Sequence, residues 1–105
     1  MKVGIIGCGY IGTELAKFID KTKGFELIGL FDIDQRKPLD LIKHLLKKPK
    51  ILDLESLIKK SDLIIESASA EAVKAILSSK NLDRKGKKLL VMSSGGIIKN
   101  LNFYN

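Results

Sequence analysis

Three glycines at the spacing G-x-G-x-x-G restrict the folds open to this chain more than any other feature of its sequence. Gly7 ends the apolar run at residues 2–7, and Gly9 and Gly12 stand where apolar residues begin to recur at helical spacing. Glycine in an ordered segment costs conformational entropy, so a cluster of glycines at one corner requires a physical reason. The pattern predicts a strand, a tight turn and a helix, in that order.

The rest of the chain alternates short β-like runs with helical runs. The predicted strands cover residues 2–7, 25–31, 51–52, 62–66 and 89–92. The predicted helices cover residues 11–20, 39–46 and 54–58, and Ser69 is the predicted N-cap of a fourth helix. Strict alternation predicts an α/β fold in one domain, residues 1–105, with a doubly wound, mostly parallel five-stranded sheet and helices on both faces. The tail from residue 97 is too short to assign.

A length of 105 residues suits one domain with a single core. No apolar run approaches the ~20 residues that span a bilayer, and the N-terminus begins with a predicted strand rather than a signal peptide. We therefore expect a cytoplasmic protein with no membrane partner. The single cysteine, Cys8, can form no internal disulfide, and we interpret it as a small tolerated side chain rather than a reactive thiol.

The formal net charge of +7 raises the question of nucleic-acid binding. The lysines are scattered, and the densest basic cluster, within residues 84–88, lies in a predicted turn without aromatic residues to stack on bases. We interpret the charge as solvated surface and expect no nucleic-acid partner. A basic surface would still attract anionic cofactors and substrates.

The context of the glycine motif predicts a dinucleotide site. The motif lies in a β-α-β unit of about thirty residues, and an acid, Asp32, stands ~20 residues beyond the last glycine. Gly7 permits the tight turn, Gly9 leaves room for a pyrophosphate, and Gly12 lets the helix pack close to the sheet. These features are typical of a Rossmann-type fold that binds NAD or NADP.

Two further pairs of residues are expected to contact the dinucleotide. Tyr10 and Ile11 lie in the first helical turn, whose unpaired N–H groups and partial positive charge attract phosphate. Asp32 and Ile33 lie at the end of the second predicted strand. The Asp32 carboxylate is expected to accept hydrogen bonds from the adenosine ribose.

The charge of Asp32 also predicts which cofactor is preferred. A carboxylate beside the ribose repels a 2′-phosphate, which favours NAD over NADP. Arg36 and Lys37 follow closely, and either one could neutralise a 2′-phosphate, so NADP binding stays open. We interpret Asp34 as a loop or capping residue rather than a second ribose ligand.

The nicotinamide end of the cofactor is expected at the ends of the fourth and fifth predicted strands, because ligands of such sheets lie along the carboxyl ends of the strands. Both ends are followed by small, polar residues that suit a flat ring and its ribose. The candidate cofactor-binding residues there are Ala68, Ser69, Ser93, Ser94, Gly95 and Gly96. Glu66 is the one carboxylate at these strand ends, and we expect backbone N–H groups to satisfy it.

Four stretches, GIIGCGYIGTELA, ELIGLFD, IIESASAEAVKAIL and LLVMSSGGI, resemble the N-terminal cofactor-binding domain of the prokaryotic L-aspartate dehydrogenases. The resemblance extends to about residue 98. Gly96 stands where that family usually has alanine, a mild departure because glycine offers the same backbone contact. The resemblance implies hydride transfer from Cα of L-aspartate to nicotinamide, giving an imine that hydrolyses to oxaloacetate and ammonia.

The resemblance also implies that the catalytic histidine belongs to a second domain, C-terminal to these residues. The one histidine present, His44, is predicted on an exposed helix, so we assign no catalytic residue. No cluster of cysteine or histidine indicates a metal site, and we assign none.

Three interpretations of the chain stay open at this point. Five strands leave one sheet edge exposed, and such an edge favours pairing with a separate catalytic domain or with a second copy of the chain. The first interpretation is a fragment or split form of an aspartate-dehydrogenase-like enzyme, inactive alone. The second is a non-catalytic NAD-sensing module. The third is the cofactor domain of a related dehydrogenase, such as homoserine dehydrogenase.

Overall fold

A computed structural model of the chain describes residues 1–82 and 86–93, together with the backbone of a strand at 97–100. Every predicted strand and helix is present, with ends that differ by a few residues. The elements are β1 Lys2–Ile6, α1 Tyr10–Asp20, β2 Glu26–Phe31, α2 Arg36–Ile42, β3 Lys50–Ile51, α3 Leu54–Lys60, β4 Leu63–Glu66, α4 Ala70–Leu77, β5 Lys88–Val91 and β6 Ile97–Asn100.

The strands form one sheet in the order β3-β2-β1-β4-β5-β6. Strands β1 to β5 are parallel, so the predicted doubly wound α/β fold is confirmed. Chain order reverses between β1 and β4, which places the topological switch point at the end of β1. In sheets of this kind the ligand crevice opens at the switch point, along the carboxyl ends of the strands.

The sixth strand is a feature that the sequence did not predict. Strand β6 pairs antiparallel with β5, with Ile98 opposite Leu90. A short connection is sufficient for an antiparallel return, whereas a parallel strand needs a long crossover. The edge of β5 that was expected to be open is therefore occupied by β6, and any partner at this side of the sheet would meet β6.

Each face of the sheet carries its own apolar layer. On one face, Val3 and Ile5 of β1 pack with Ala16 and Ile19 of α1 and with Leu41 of α2. On the other face, α3 and α4 cover the sheet, through Leu57, Ile58 and Ile76 among others. Strands covered on both faces read as continuous Val/Ile runs, which explains why the strand signals in the sequence were clear.

Among the described residues, no helix has the length and apolarity that crossing a bilayer would require.

Helix α2 ends earlier than the sequence predicts, because a buried carboxylate accepts hydrogen bonds from the backbone of the residues that follow the helix. Asp20, at the end of α1, is 4% exposed. Its carboxylate accepts hydrogen bonds from the backbone N–H groups of Leu46 and Lys47. In a continuing helix the Leu46 N–H would bond to the Ile42 carbonyl. Because the Leu46 N–H bonds to the Asp20 carboxylate instead, the chain after residue 42 does not continue as an α-helix.

We expect Asp20→Ala to lower the free energy of unfolding by about 1–3 kcal/mol, because it leaves two N–H groups without their acceptor. Urea denaturation followed by circular dichroism measures the change. The matched control is Asp40→Ala, which removes an exposed ion pair with Lys43, Oδ1 to Nζ 3.6 Å, and should cost less than about 0.5 kcal/mol. Equal costs for the two variants would contradict the role assigned to Asp20.

Candidate dinucleotide site

The corner between β1 and α1 is closed by Gly7, which has a φ of +97°. Residues other than glycine rarely adopt this backbone conformation. Space forbids a side chain as well, since a Cβ at Gly7 would lie 2.8 Å from the carbonyl carbon of Ser67. The tight turn that the sequence predicts is therefore packed directly against the end of β4.

Gly12 and Gly9 have opposite surroundings. A Cβ on Gly12 would lie 1.9 Å from the Gly7 carbonyl oxygen and 2.7 Å from Oγ of Ser67, so the first turn of α1 sits directly on the corner. A Cβ on Gly9 would meet none of the described residues within 4 Å, its chain neighbours aside. The glycine at position 12 is required by the protein's own packing, while the space at position 9 is open.

The open space beside Gly9 lies at the N-terminus of α1. Gly9 is the N-cap of α1, and none of the described side chains forms a capping hydrogen bond there. The N–H groups of the first helical turn therefore keep their capacity to donate to a ligand. Tyr10 and Ile11, the first two residues of the helix, are exposed beside the same opening.

The Asp32 carboxylate joins the end of β2 to the glycine corner. Its Oδ2 accepts a hydrogen bond from the Cys8 backbone N–H at 2.7 Å, and its Oδ1 accepts one from the Asp34 N–H at 2.9 Å. These bonds hold a half-buried carboxylate in one orientation. Each carboxylate oxygen can accept more than one hydrogen bond, so capacity for ribose hydroxyls remains.

The segment after β4 is fixed by two side chains. Ser67 Oγ donates a hydrogen bond to the Gly7 carbonyl oxygen at 2.8 Å. Oε2 of Glu66 accepts from the N–H groups of Ala68 and Ser69, both at 2.7 Å. The expectation that backbone N–H groups satisfy Glu66 is confirmed. Oε1 of Glu66 also accepts from Ser93 Oγ at 2.7 Å, a partner that the sequence did not predict.

A crevice of about 260 Å³ opens between the end of β2 and the start of α4. It brings together five of the predicted residues, Gly7, Asp32, Ile33, Ala68 and Ser69. Its other lining residues are Ile6, Phe31, Leu54, Glu71, Ala72 and Ala75. These residues were missed: five of them belong to the apolar patterns of their elements, and Glu71 reads as an ordinary acidic residue in the first turn of a helix. The spacing of Ala72 and Ala75, small residues on one face of α4, was the available signal.

The remaining predicted residues lie elsewhere or outside the description. Tyr10 and Ile11 do not line the crevice, and Ser93 is exposed at the end of β5. Ser94, Gly95 and Gly96 lie outside the described residues. His44 is exposed after α2 and lines a separate cavity with Cys8 and Lys37. Within residues 1–82 and 86–93, no group of three potential metal ligands comes together.

Arg36 and Asp34, which follow the end of β2, are hydrogen-bonded to each other. Arg36 forms two hydrogen bonds with Asp34, Nε to Oδ1 and Nη2 to Oδ2, both at 3.0 Å. Asp34 also accepts from the Arg36 backbone N–H, as expected of a loop residue at a helix start. The hydrogen bonds from Arg36 hold the pKa of Asp34 below its ordinary value. A 2′-phosphate would compete with Asp34 for this guanidinium.

Cys8 is buried beside the corner. Burial, and then the neighbouring charge of Asp32, raise the pKa of the Cys8 thiol to about 12, although Lys37 opposes the shift. The thiol is therefore protonated at neutral pH, which agrees with its interpretation as a small apolar side chain rather than a nucleophile.

The fold and the glycine corner together define a dinucleotide-binding domain of the dehydrogenase class. The chain belongs to the family described as homoserine dehydrogenase, NAD binding domain, whose model matches residues 7–104. The domain accordingly binds NAD(P).

Curated relatives agree with the resemblance seen in the sequence. The L-aspartate dehydrogenases of Methanosarcina acetivorans and Methanosarcina barkeri are 37% and 36% identical to the chain over 99 residues. The aligned region covers 92% of this chain and 36% of each relative. That of Bradyrhizobium diazoefficiens is 28% identical over 102 residues. The chain thus spans about a third of the length of these relatives.

Solved structures share the fold. A dehydrogenase from Clostridium difficile superposes with a TM-score of 0.63 at 28% identity, covering 87% of this chain and 29% of that one. UDP-N-acetylglucosamine 3-dehydrogenase from Acidithiobacillus ferrooxidans gives a TM-score of 0.67 at 19% identity, over 87% of this chain and 28% of that one. The second likeness is one of fold alone.

We expect Gly9→Val and Gly12→Ala to separate binding from folding. The valine side chain at position 9 occupies open space and blocks the diphosphate, so calorimetry should show NAD binding lost and thermal denaturation should show stability retained. Gly12→Ala places a methyl group against the Gly7 carbonyl oxygen and should cost more than about 2 kcal/mol. Retained NAD affinity in Gly9→Val would place the diphosphate elsewhere.

Proposed function

We propose that this chain is the cofactor-binding part of an oxidoreductase that acts on L-aspartate. The observation that carries the proposal is the 36–37% identity to L-aspartate dehydrogenases over 92% of the chain. In the proposed reaction, bound NAD accepts a hydride from Cα of L-aspartate, and the resulting imine is hydrolysed to oxaloacetate and ammonia.

In this proposal the residues of the chain bind and orient the cofactor. Gly9 and the first turn of α1 hold the diphosphate, and Asp32 accepts hydrogen bonds from the adenosine ribose. Ile33 borders the adenosine. Ala68 and Ser69 were expected on the nicotinamide side, but they line the same crevice as Asp32 and Ile33, so they are proposed to form the wall that faces these residues. The segment from Ser93 to Gly96 takes the nicotinamide side. These roles are proposed because ligands of such sheets bind along the carboxyl ends of the strands. Those of residues 94–96, which lie outside the described residues, rest on the sequence alone.

The groups that select and deprotonate the substrate are proposed to lie outside this chain. Its one histidine, His44, lies in a different cavity from Ala68 and Ser69. The relatives are nearly three times as long as the matched region, which leaves room for a separate catalytic domain. We propose that this domain is the partner and that the chain alone is inactive.

We further propose a cytoplasmic location. A buried, free Cys8 is typical of proteins from a reducing compartment.

The cofactor preference is proposed to be NAD, through the charge of Asp32. Asp32→Asn keeps an acceptor for the Cys8 N–H and removes the charge that a 2′-phosphate would meet. We expect the ratio of the NADP to the NAD dissociation constant to fall by about tenfold, since repulsion at a half-exposed site is partly screened. Calorimetric titration with each dinucleotide measures the ratio. An unchanged ratio would mean that the ribose lies away from Asp32.

A chimera tests the proposed activity. The chain would replace the matching 99 residues of the Methanosarcina acetivorans enzyme, and NAD reduction would be followed with L-aspartate. We expect turnover by the chimera and none by the chain alone. The same chimera with Gly9→Val is the control and should be inactive.

Chimeras also separate the remaining alternatives. The family description makes homoserine dehydrogenase the second candidate. Because the first chimera takes its substrate-selecting groups from the aspartate enzyme, this candidate needs a second chimera, in which the chain replaces the cofactor domain of a homoserine dehydrogenase. Turnover only in that second chimera would favour it. Two folded chimeras that bind NAD and show no turnover would contradict the proposal and favour an NAD-sensing module.

A further inference from the structure

The segment at residues 66–69, E-S-A-S, contains two residues that line the crevice and two whose side chains hold neighbouring parts of the protein. Ala68 and Ser69 line the crevice. Glu66 and Ser67 do not line it, and their side chains instead make hydrogen bonds to neighbouring segments. Glu66 and Ser67 therefore affect the site indirectly, by fixing the segments to which they are hydrogen-bonded.

Glu66 is the more unusual member of the segment, because it is a carboxylate with 0% exposure. Burial of a charged group is unfavourable unless hydrogen bonds replace its lost hydration. Three donors do so here, all at 2.7 Å: two backbone N–H groups on Oε2 and Ser93 Oγ on Oε1. Its two oxygens thus hold two different segments, Ala68 and Ser69 after β4 and Ser93 after β5.

Of the two segments that Glu66 joins, the one with Ala68 and Ser69 lines the crevice together with Asp32, whereas Ser93 does not line it. Asp32, at the end of β2, marks the adenosine side of the crevice. The sheet order continues through β1 and β4 to β5, so Ser93 lies on the far side of the switch point, where the other half of the cofactor belongs. A bond from Glu66 to Ser93 therefore fixes the nicotinamide side relative to the crevice wall.

We propose that Glu66 is a positioning residue that, through Ser93, sets the affinity of the site for the nicotinamide half of the cofactor. The inference rests on the cofactor placement given under the proposed function. Oε2 holds the crevice wall at Ala68 and Ser69 for the whole ligand, and Oε1 holds Ser93, at the end of β5, for the nicotinamide end alone. The two oxygens of one side chain thus have separable effects on binding.

Ser93→Ala isolates the second effect, because it removes only the bond to Oε1. The ligands are NAD and ADP-ribose, which lacks the nicotinamide ring, and calorimetry with the full chain gives both affinities. We expect NAD affinity to fall about fivefold and ADP-ribose affinity to change by less than about twofold. A general loss of structure would weaken both ligands equally.

Two variants of Glu66 test the first effect and its rescue. Glu66→Ala removes every bond and should weaken both ligands at least about tenfold. Glu66→Gln can still accept from the N–H groups of Ala68 and Ser69, and its amide can donate to Ser93 Oγ. We therefore expect Glu66→Gln to recover ADP-ribose binding and most of the NAD binding, with thermal denaturation recorded for each variant.

Ser79→Ala is the matched control, because the Ser79 hydroxyl donates to a glutamate, Glu55, that does not line the crevice. We expect it to leave both affinities unchanged. Equal weakening of NAD and ADP-ribose by Ser93→Ala, or no weakening of NAD, would overturn the inference. Failure of the wild-type chain to bind either ligand would overturn the proposed cofactor placement as well, so the two failures are distinguishable.

Discussion

The close contact between the glycine corner and the end of β4 is the constraint on which the rest of the site depends. Gly12 has no Cβ, so the first turn of α1 can lie against the Gly7 carbonyl oxygen, and Ser67 Oγ donates to that same oxygen. Helix, strand end and neighbouring loop therefore meet at one carbonyl. At the same corner, none of the described side chains caps the N-terminus of α1, and the space beside Gly9 is open to them, an arrangement that suits a diphosphate.

Two carboxylates at strand ends, Asp32 and Glu66, have different roles because they differ in burial. Asp32 and Glu66 each accept two backbone N–H groups, and both stiffen the loop after their strand. Asp32 remains half-exposed and faces the crevice, so it can also accept from a ligand. Glu66 is fully buried and accepts its third hydrogen bond from Ser93 Oγ, so it holds parts of the protein together rather than facing a ligand. The sequence alone shows two acids after two apolar runs.

Much of the fold followed from local patterns. The element order came from the change between strand and helix periodicity, and the Ser69 N-cap is present as predicted, with Ser69 Oγ accepting from the Ala72 N–H at 3.1 Å. Strand β6 was missed because it is formed by pairing with β5, and the residues of β6 alone do not show which strand they will pair with. The early end of α2 was missed because its cause, Asp20, lies on another helix.

The sequence by itself determined the class of fold and the glycine corner, because periodicity and the absence of a Cβ act within a few residues of chain. It also indicated five of the residues that line the crevice. Only the tertiary structure decided that Ser67 and Ser93 hold the site together. Hydrogen bonds between residues 27 or 60 positions apart depend on how the strands are ordered in the sheet, and no local pattern encodes that order.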